Sequence, residues 1–326
     1  MQNPVLDIKD LHLQFNVYGG NLKVLNGVNL TVWPGEKVGL VGETGCGKTT
    51  TMKSILRVLP VSQTKITKGE IIFKGKDILK MKKVEIQQIR QKGISMIFQD
   101  PTASLNPVFS IGNQLQDVIR YSRTFGTSIE KRKIKVHAIK MLKKVSLPDP
   151  ERMIKSFPIQ LSGGMRQRVC IAMALASIND LLIADEPTTS LDVTIQDQIL
   201  NLLAGLVKDR GVSIILISHA LGAVRNMTDR TYVMYAGSMV ELAKTKELFI
   251  NPLHPYTRGL LSAIPRLTGK GKMEGIPGYI PGYLNPPMGC RFHSRCEYAK
   301  PICKEKRPPF FKISESHKVA CWLFRN

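Results

Sequence analysis

Two stretches of this 326-residue sequence combine residue types and spacings that do chemistry. Residues 42–49 read GETGCGKT, which is G-x-x-x-x-G-K-[ST]. Glycines at these positions let successive backbone N–H groups turn toward one anion, and the helix that follows presents its N-terminus to it. Lys48 adds a point charge matched to the outer phosphates of a nucleoside triphosphate, and Thr49 offers an oxygen to Mg2+. The second stretch is GCRFHSRCEYAKPIC, 289–303, with Cys290, Cys296 and Cys303. With Cys321 it places four of the six cysteines in the last 37 residues, spaced C-x5-C-x6-C-x17-C. In a reducing compartment, clustered cysteines read as metal ligands before disulfides.

The elements that must position the first site follow from the apolar pattern. KVGLV (37–41) is a short buried strand that runs straight into the glycine loop. After the loop, Met52, Ile55, Leu56 and Leu59 fall on one face of a helix. LLIAD (181–185) is a second buried strand, which delivers Asp185 to its end to hold the Mg2+ shell. Glu186 follows, placed to polarise an attacking water. ISMIFQ (94–99), VSIILIS (212–218) and TYVMYAG (231–237) are further strands, and GEIIFKGKDI (69–78) reads as a hairpin or edge strand. Residues 5–41 alternate like strands. Residues 108–177 are mostly helical, with Ile134, Ala138, Met141, Leu142 and Val145 forming one apolar face. A helical stretch covers 194–208. After about residue 265, Gly and Pro dominate. This order describes an α/β core with an inserted helical subdomain.

Composition narrows the class. Formal net charge is +22, and 43% of residues are hydrophobic, enough for a sizeable core. The lysines are spread along the chain without a concentrated arm or an aromatic platform. A solvated basic surface near anionic lipid or nucleotide is expected, and no nucleic acid. The N-terminus lacks a basic region followed by an apolar one, and no run of about 18 apolar residues occurs, so a cytosolic chain is expected.

A third motif completes the set. LSGGM (161–165) opens a helix, MRQRVCIAMALA, so that Ser162, Gly163 and Gly164 leave an exposed anion-binding helix start. Gln99 ends one strand and His219 ends another. Together these residues resemble the nucleotide-binding subunit of an ATP-binding cassette (ABC) transporter, over nearly the whole chain. The resemblance implies a P-loop NTPase core with an antiparallel β subdomain and an inserted helical subdomain. It makes Gly42, Glu43, Thr44, Gly45, Cys46, Gly47, Lys48, Thr49 and Thr50 the Walker A loop. Gln99 matches the Q-loop glutamine and Leu161–Met165 the signature motif, with Met165 in place of the commoner glutamine. Asp185 and Glu186 match the Walker B aspartate and catalytic glutamate. Ser190, Leu191 and Asp192 match the D-loop, and His219 the switch histidine. Phe15 is expected to stack on adenine, with Tyr18 the alternative. Two such chains would sandwich two ATP molecules, and hydrolysis would release them. One departure is Ala220, where the family usually has Asp after the switch histidine.

NPLHPYTRGLLSAIP (251–265), IADEPTTSLDVTIQ (183–196) and FQDPTASLNPV (98–108) resemble segments of oligopeptide/dipeptide importer ATPases. The cysteine stretch, with HKVACW (317–322), resembles that subfamily's C-terminal extension, in which four cysteines hold an iron–sulfur cluster. Structural zinc usually takes tighter C-x2–4-C knuckles, and looser loops suit a [4Fe–4S] group held by four thiolates. Zn2+, with His293 or His317 as spare ligands, and free thiols remain open. Cys46 and Cys170 are not expected to be ligands, and modification of Cys46 would block ATP. The expected organisation is a nucleotide-binding domain over 1–245, its helical subdomain at about 100–177, and an extension over 246–326. The resemblance implies two transmembrane permeases docking near Gln99 and residues 100–120. It also implies a second, related ATPase subunit, an extracytoplasmic substrate-binding protein, and a place on the cytoplasmic face of the membrane. Di- or oligopeptide is the expected cargo. Oligosaccharide or nickel import is the alternative, and a non-transport ABC ATPase is a more distant one.

Overall fold

The computed structural model describes residues 3–122, 130–177, 180–188, 191–263 and 275–325. The chain divides into two compact units. One comprises Met1–Trp33, Lys37–Lys80 and Ser218–Asn326, and the other Pro34–Glu36 and Met81–Ile217.

The first unit holds an antiparallel sheet of four strands in the order Gly20–Val32, Leu6–Val17, Thr64–Phe73, Lys76–Asp77. Alternation writes most of this sheet, with the buried face shifting by one residue where Asp10 takes a φ of 45°. Leu6, Ile8, Leu11 and Leu13 are buried on one strand, and Leu25, Val28, Leu30 and Val32 on its partner. Leu6 pairs with Val32 and Ile8 with Leu30. The same unit pairs Lys37–Val41 in parallel with Arg230–Tyr235, which pairs antiparallel with Ser238–Lys244. Two short strands from the chain's end, Lys318–Val319 and Phe311–Lys312, extend the Ser238–Lys244 edge.

The helix after the glycine loop is Lys48–Ile55. Met52, Ile55 and Leu56 are buried, as expected. Leu59 is not on that helix: Leu56 caps it and Arg57 turns to a φ of 50°, so the chain leaves the axis before Leu59.

The second unit carries three parallel strands in the order Ser213–Ile217, Leu181–Asp185, Ile94–Ile97. The first two are buried at every position, because helices cover parallel strands on both faces. Four longer helices follow from the sequence pattern: Ile111–Tyr121, Lys131–Lys144, Gly163–Ala176 and Val193–Arg210. Ile134, Ala138, Met141, Leu142 and Val145 are all buried, as their spacing requires. Full burial of each large apolar side chain here stabilises by roughly 1.5–3 kcal/mol.

Candidate functional site

In the first unit, the loop 42–49 joins the strand Lys37–Val41 to the helix Lys48–Ile55. Gly42, Gly45 and Gly47 have φ values of 154°, 81° and 107°, a backbone that L side chains rarely adopt. A Cβ on Gly42 would lie 2.1 Å from the Met234 carbonyl oxygen. Lys48 is 5% exposed, and its Nζ donates to the carbonyls of Gly42 at 2.6 Å and Glu43 at 3.0 Å. The ammonium therefore lies across the loop, where phosphate charge would arrive. The first helical amides have no intrahelical acceptor by position, so they face the same space. His219 Nε2 lies 3.4 Å from Thr44 Oγ1, so the structure brings His219 to this loop. Thr49 and Thr50 are half-buried on the first helical turn. Cys46 is fully buried, and burial pushes its thiol pKa up, which shields it from modification. Phe15 is half-buried on the strand Leu6–Val17, while Tyr18 is 108% exposed at the hairpin turn.

In the second unit, Asp185 ends its strand at 1% exposure. Glu186 follows with φ 50°, a strained position for a non-glycine residue. Its N–H donates to the Ile217 carbonyl at 2.9 Å, and its carboxylate accepts from Gln99 Nε2 at 3.1 Å. Gln99 and Glu186 are thus brought together, although 87 residues separate them. Ser162 caps the helix Gly163–Ala176 by accepting from the Met165 N–H. Ser162 and Gly163 are exposed, and a Cβ on Gly164 would meet Leu191 at 3.1 Å. The Asp192 carboxylate accepts from the Ile195 N–H at 3.0 Å. Ser190 lies outside the described residues, as do Ile264 and Pro265 of the segment 251–265.

Ala220 stands at the N-cap of the helix Leu221–Met227 without a side-chain cap. Its N–H is taken by Ser218 Oγ at 3.0 Å.

The tail brings Cys290, Cys296, Cys303 and Cys321 to the wall of one pocket, beside His254 and Phe292. All four are free thiols. Burial pushes Cys290 up to about 12, and also raises Cys296 and Cys321. Among the described residues, no three His, Cys, Asp or Glu side chains form a group that could hold a metal ion. A Cβ on Gly289 would sit 2.3 Å from the Cys303 carbonyl oxygen, so the two cysteine-bearing segments approach through that glycine. His293 also lines the pocket, with Nδ1 2.8 Å from the Cys290 carbonyl. His317 is engaged elsewhere: Nε2 meets Glu241 at 2.7 Å and Nδ1 meets Glu247 at 3.2 Å. Cys170 is a buried thiol of the second unit, with its pKa pushed up to about 12 by burial.

Sequence reasoning missed three residues that touch the phosphate loop: Tyr256, Tyr283 and Arg295. No local pattern marks them, because each meets the loop across more than 200 residues of sequence.

A glycine loop between strand and helix, with a buried lysine across it, defines a P-loop NTPase. The model of the family described as "ABC transporter" matches residues 25–189, and that described as "Oligopeptide/dipeptide transporter, C-terminal region" matches 240–303. The chain belongs to the ABC transporter family, as one of its ATPases. It is 46% identical to the oligopeptide transport ATP-binding protein OppD of Bacillus subtilis, over 98% of this chain and 88% of that protein. It is 44% identical to the dipeptide transport ATP-binding protein DppD of the same organism, over 98% and 94%. Among solved structures it is similar to the ATP-binding cassette MJ0796, a dimer in a post-hydrolysis state bound to ADP and Pi. That likeness has a TM-score of 0.66 and 26% identity, and covers 74% of this chain and 98% of that one. Among the described residues, no helix is long and apolar enough to cross a membrane.

Proposed function

We propose that this chain is the ATP-hydrolysing subunit that powers import of di- and oligopeptides, working from the cytoplasmic face of the cell membrane. One observation carries the reading: similarity to peptide-transport ATP-binding proteins extends over 98% of the chain, including the C-terminal region. The oligosaccharide, nickel and non-transport readings have no comparable support. The chain would work with two transmembrane permeases, a substrate-binding protein and a second, related ATPase subunit. Its proposed organisation is an ATPase domain over 1–245, with the helical subdomain at about 100–177, and the extension over 246–326.

Each site residue has a proposed task. The loop Gly42–Thr50 cradles the phosphates, and Lys48 neutralises charge on the outer ones. Glu186, oriented by Gln99, accepts a proton from the attacking water, and His219 contacts the terminal phosphate. Phe15 stacks on adenine, with Tyr18 the alternative. Ser162, Gly163 and Gly164, at an exposed helix start, read the phosphate held by the facing subunit, with Asp192 beside that contact. Thr49, Gln99 and Asp185 offer hard oxygens of the kind Mg2+ takes, and Mg2+ would neutralise phosphate charge.

Cys290, Cys296, Cys303 and Cys321 would hold a [4Fe–4S] cluster, which would staple a segment with little core of its own. One observation supports a shared group: the four thiols line one pocket. Anaerobically purified chain is expected to carry about four irons and four acid-labile sulfides. Cys290→Ser should lose them and Cys170→Ser should keep them. Zinc alone would overturn the cluster.

The transport reading is tested in proteoliposomes holding the assembled transporter. Labelled dipeptide should accumulate only with ATP. Glu186→Gln should bind ATP but release phosphate roughly 100-fold or more slowly. Uptake of sugar or nickel instead of peptide would sink the cargo assignment, and equal phosphate release would remove Glu186 from its role.

A further inference from the structure

The phosphate loop is gripped from the far end of the chain. Arg295 makes a two-pronged pair with Glu43, with Nη1 to Oε2 at 2.7 Å and Nη2 to Oε1 at 3.0 Å. Its other donors are also engaged. Nε meets the Pro277 carbonyl at 2.8 Å, Nη2 the Ile276 carbonyl at 2.9 Å, and Nη1 the Tyr235 hydroxyl at 3.4 Å. A guanidinium has five N–H donors in a fixed fork, and here every one is used. The side chain is 5% exposed, so this is not a mobile surface pair.

Two tyrosines hold the loop's backbone at neighbouring positions. The Tyr283 hydroxyl donates to the Gly45 carbonyl at 2.7 Å, and the Glu43 N–H donates to the Tyr256 hydroxyl at 2.8 Å. Tyr283 is itself fixed, because its carbonyl accepts from the Lys23 N–H at 2.8 Å. Tyr256 packs on Tyr235, with ring centroids 4.6 Å apart, and Phe292 packs on both, at 5.0 Å from Tyr235 and 5.5 Å from Tyr256. Phe292 and Arg295 lie between Cys290 and Cys296. The stretch that carries the cysteines therefore also carries the grip on the loop.

We propose that Arg295, Tyr283 and Tyr256 are positioning residues for nucleotide binding, through which the C-terminal extension holds the phosphate loop in its receptive curve. They touch no phosphate themselves. They fix a carboxylate, a carbonyl and an amide of the loop, whose remaining amides must be set to within about half an ångström to bind phosphate well. Nucleotide affinity in this chain is thus set partly by the extension. The proposal rests on the reading of residues 42–49 as the nucleotide loop, which binding of Mg·ADP to the wild-type chain tests separately.

The experiment uses the full-length chain, with the Kd for Mg·ADP measured by calorimetry beside KM and kcat for ATP hydrolysis. Arg295→Lys keeps the charge but cannot reproduce the fork, and should weaken Mg·ADP about tenfold. Glu43→Gln should do the same, and the double variant should be no weaker than either single one. Tyr283→Phe removes one hydroxyl from a half-buried ring and should cost about threefold, and it serves if Arg295→Lys does not fold. In each variant KM should rise with Kd, while kcat at saturating nucleotide falls less. Tyr279→Ala, at a 93% exposed ring in the same segment, should bind as wild type. Folded Arg295→Lys and Tyr283→Phe chains with Kd within twofold of wild type would overturn the proposal, whatever their melting temperatures. No binding of Mg·ADP by wild type would instead overturn the nucleotide-loop reading.

Discussion

The phosphate loop and the cysteine-bearing stretch each press a glycine onto a carbonyl, Gly42 onto Met234 and Gly289 onto Cys303. They differ in what holds them. The loop is flanked by a strand of five residues and a helix of eight, and its glycines take left-handed backbone. The cysteine stretch has only the short helices His293–Arg295 and Pro301–Glu305, and Gly289 lies outside the left-handed region. Single side chains there replace the ladders. Arg291 reaches the carbonyls of Ala236 and Lys23, and the Trp322 indole N–H donates to the Lys306 carbonyl at 2.9 Å. Where regular elements run out, shape rests on a few polar side chains that reach backbone carbonyls, and losing one costs more.

The largest effect is expected at His317, which is 1% exposed and bonded to the fully buried Glu241. His317→Ala should destabilise by about 3 kcal/mol by taking the imidazole from a buried carboxylate that keeps the Leu253 and His254 N–H groups, read as a shift in urea midpoint. A cost below about 1 kcal/mol would break the contrast between the two regions. The glycines sharpen it. Gly42→Ala incurs both a carbonyl clash and a φ of 154°, and Gly289→Ala only the clash. Both should lower stability, by about 2 kcal/mol for the first and less for the second, measured by thermal melts.

A smaller effect is pH-dependent. Burial lowers the His317 pKa, but the Glu241 hydrogen bond and the charges of Glu241 and Glu247 outweigh it, so the net shift is upward. A histidine with a raised folded pKa contributes stability that is full below its unfolded value of about 6.5 and is lost as pH rises through the folded value. The melting temperature should therefore fall over that window, and His317→Gln should flatten the decline. The smallest effect lies beside the switch histidine. Ala220→Asp supplies the missing cap on Leu221–Met227 and should stabilise by about 1 kcal/mol in the same melts.

Much of the nucleotide machinery was legible because it is local. The apolar strand before Gly42, the amphipathic run after Lys48 and the buried strand before Asp185 each announce themselves within ten residues. The Gln99–Glu186 hydrogen bond was not legible, although both residues were singled out, since nothing in sequence states a distance. The strand Ser238–Lys244 was missed because its burial does not alternate and it hides Glu241, a charge that pattern reasoning sends to the surface. In the sequence the helix Pro255–Ser262 shows only as a family segment. Its start is capped by His254, whose Nδ1 accepts from the Tyr256 N–H at 3.0 Å. In the sequence Arg295 is one basic residue among 47 lysines and arginines. Only the folded chain shows that its five donors are spent.

The two-residue strand Lys318–Val319 pairs Val319 with Glu241 and Lys318 with Leu242, on the edge of Ser238–Lys244. Sheet edges left open recruit other edges, and natural proteins blunt them with short strands and lysines. Lys318 and Lys312 face each other across this last pair. Two short, lysine-bearing strands thus blunt the edge of Ser238–Lys244. A chain stopped before Phe311 would leave the edge of that mostly buried strand open to its neighbours, with self-association the expected result.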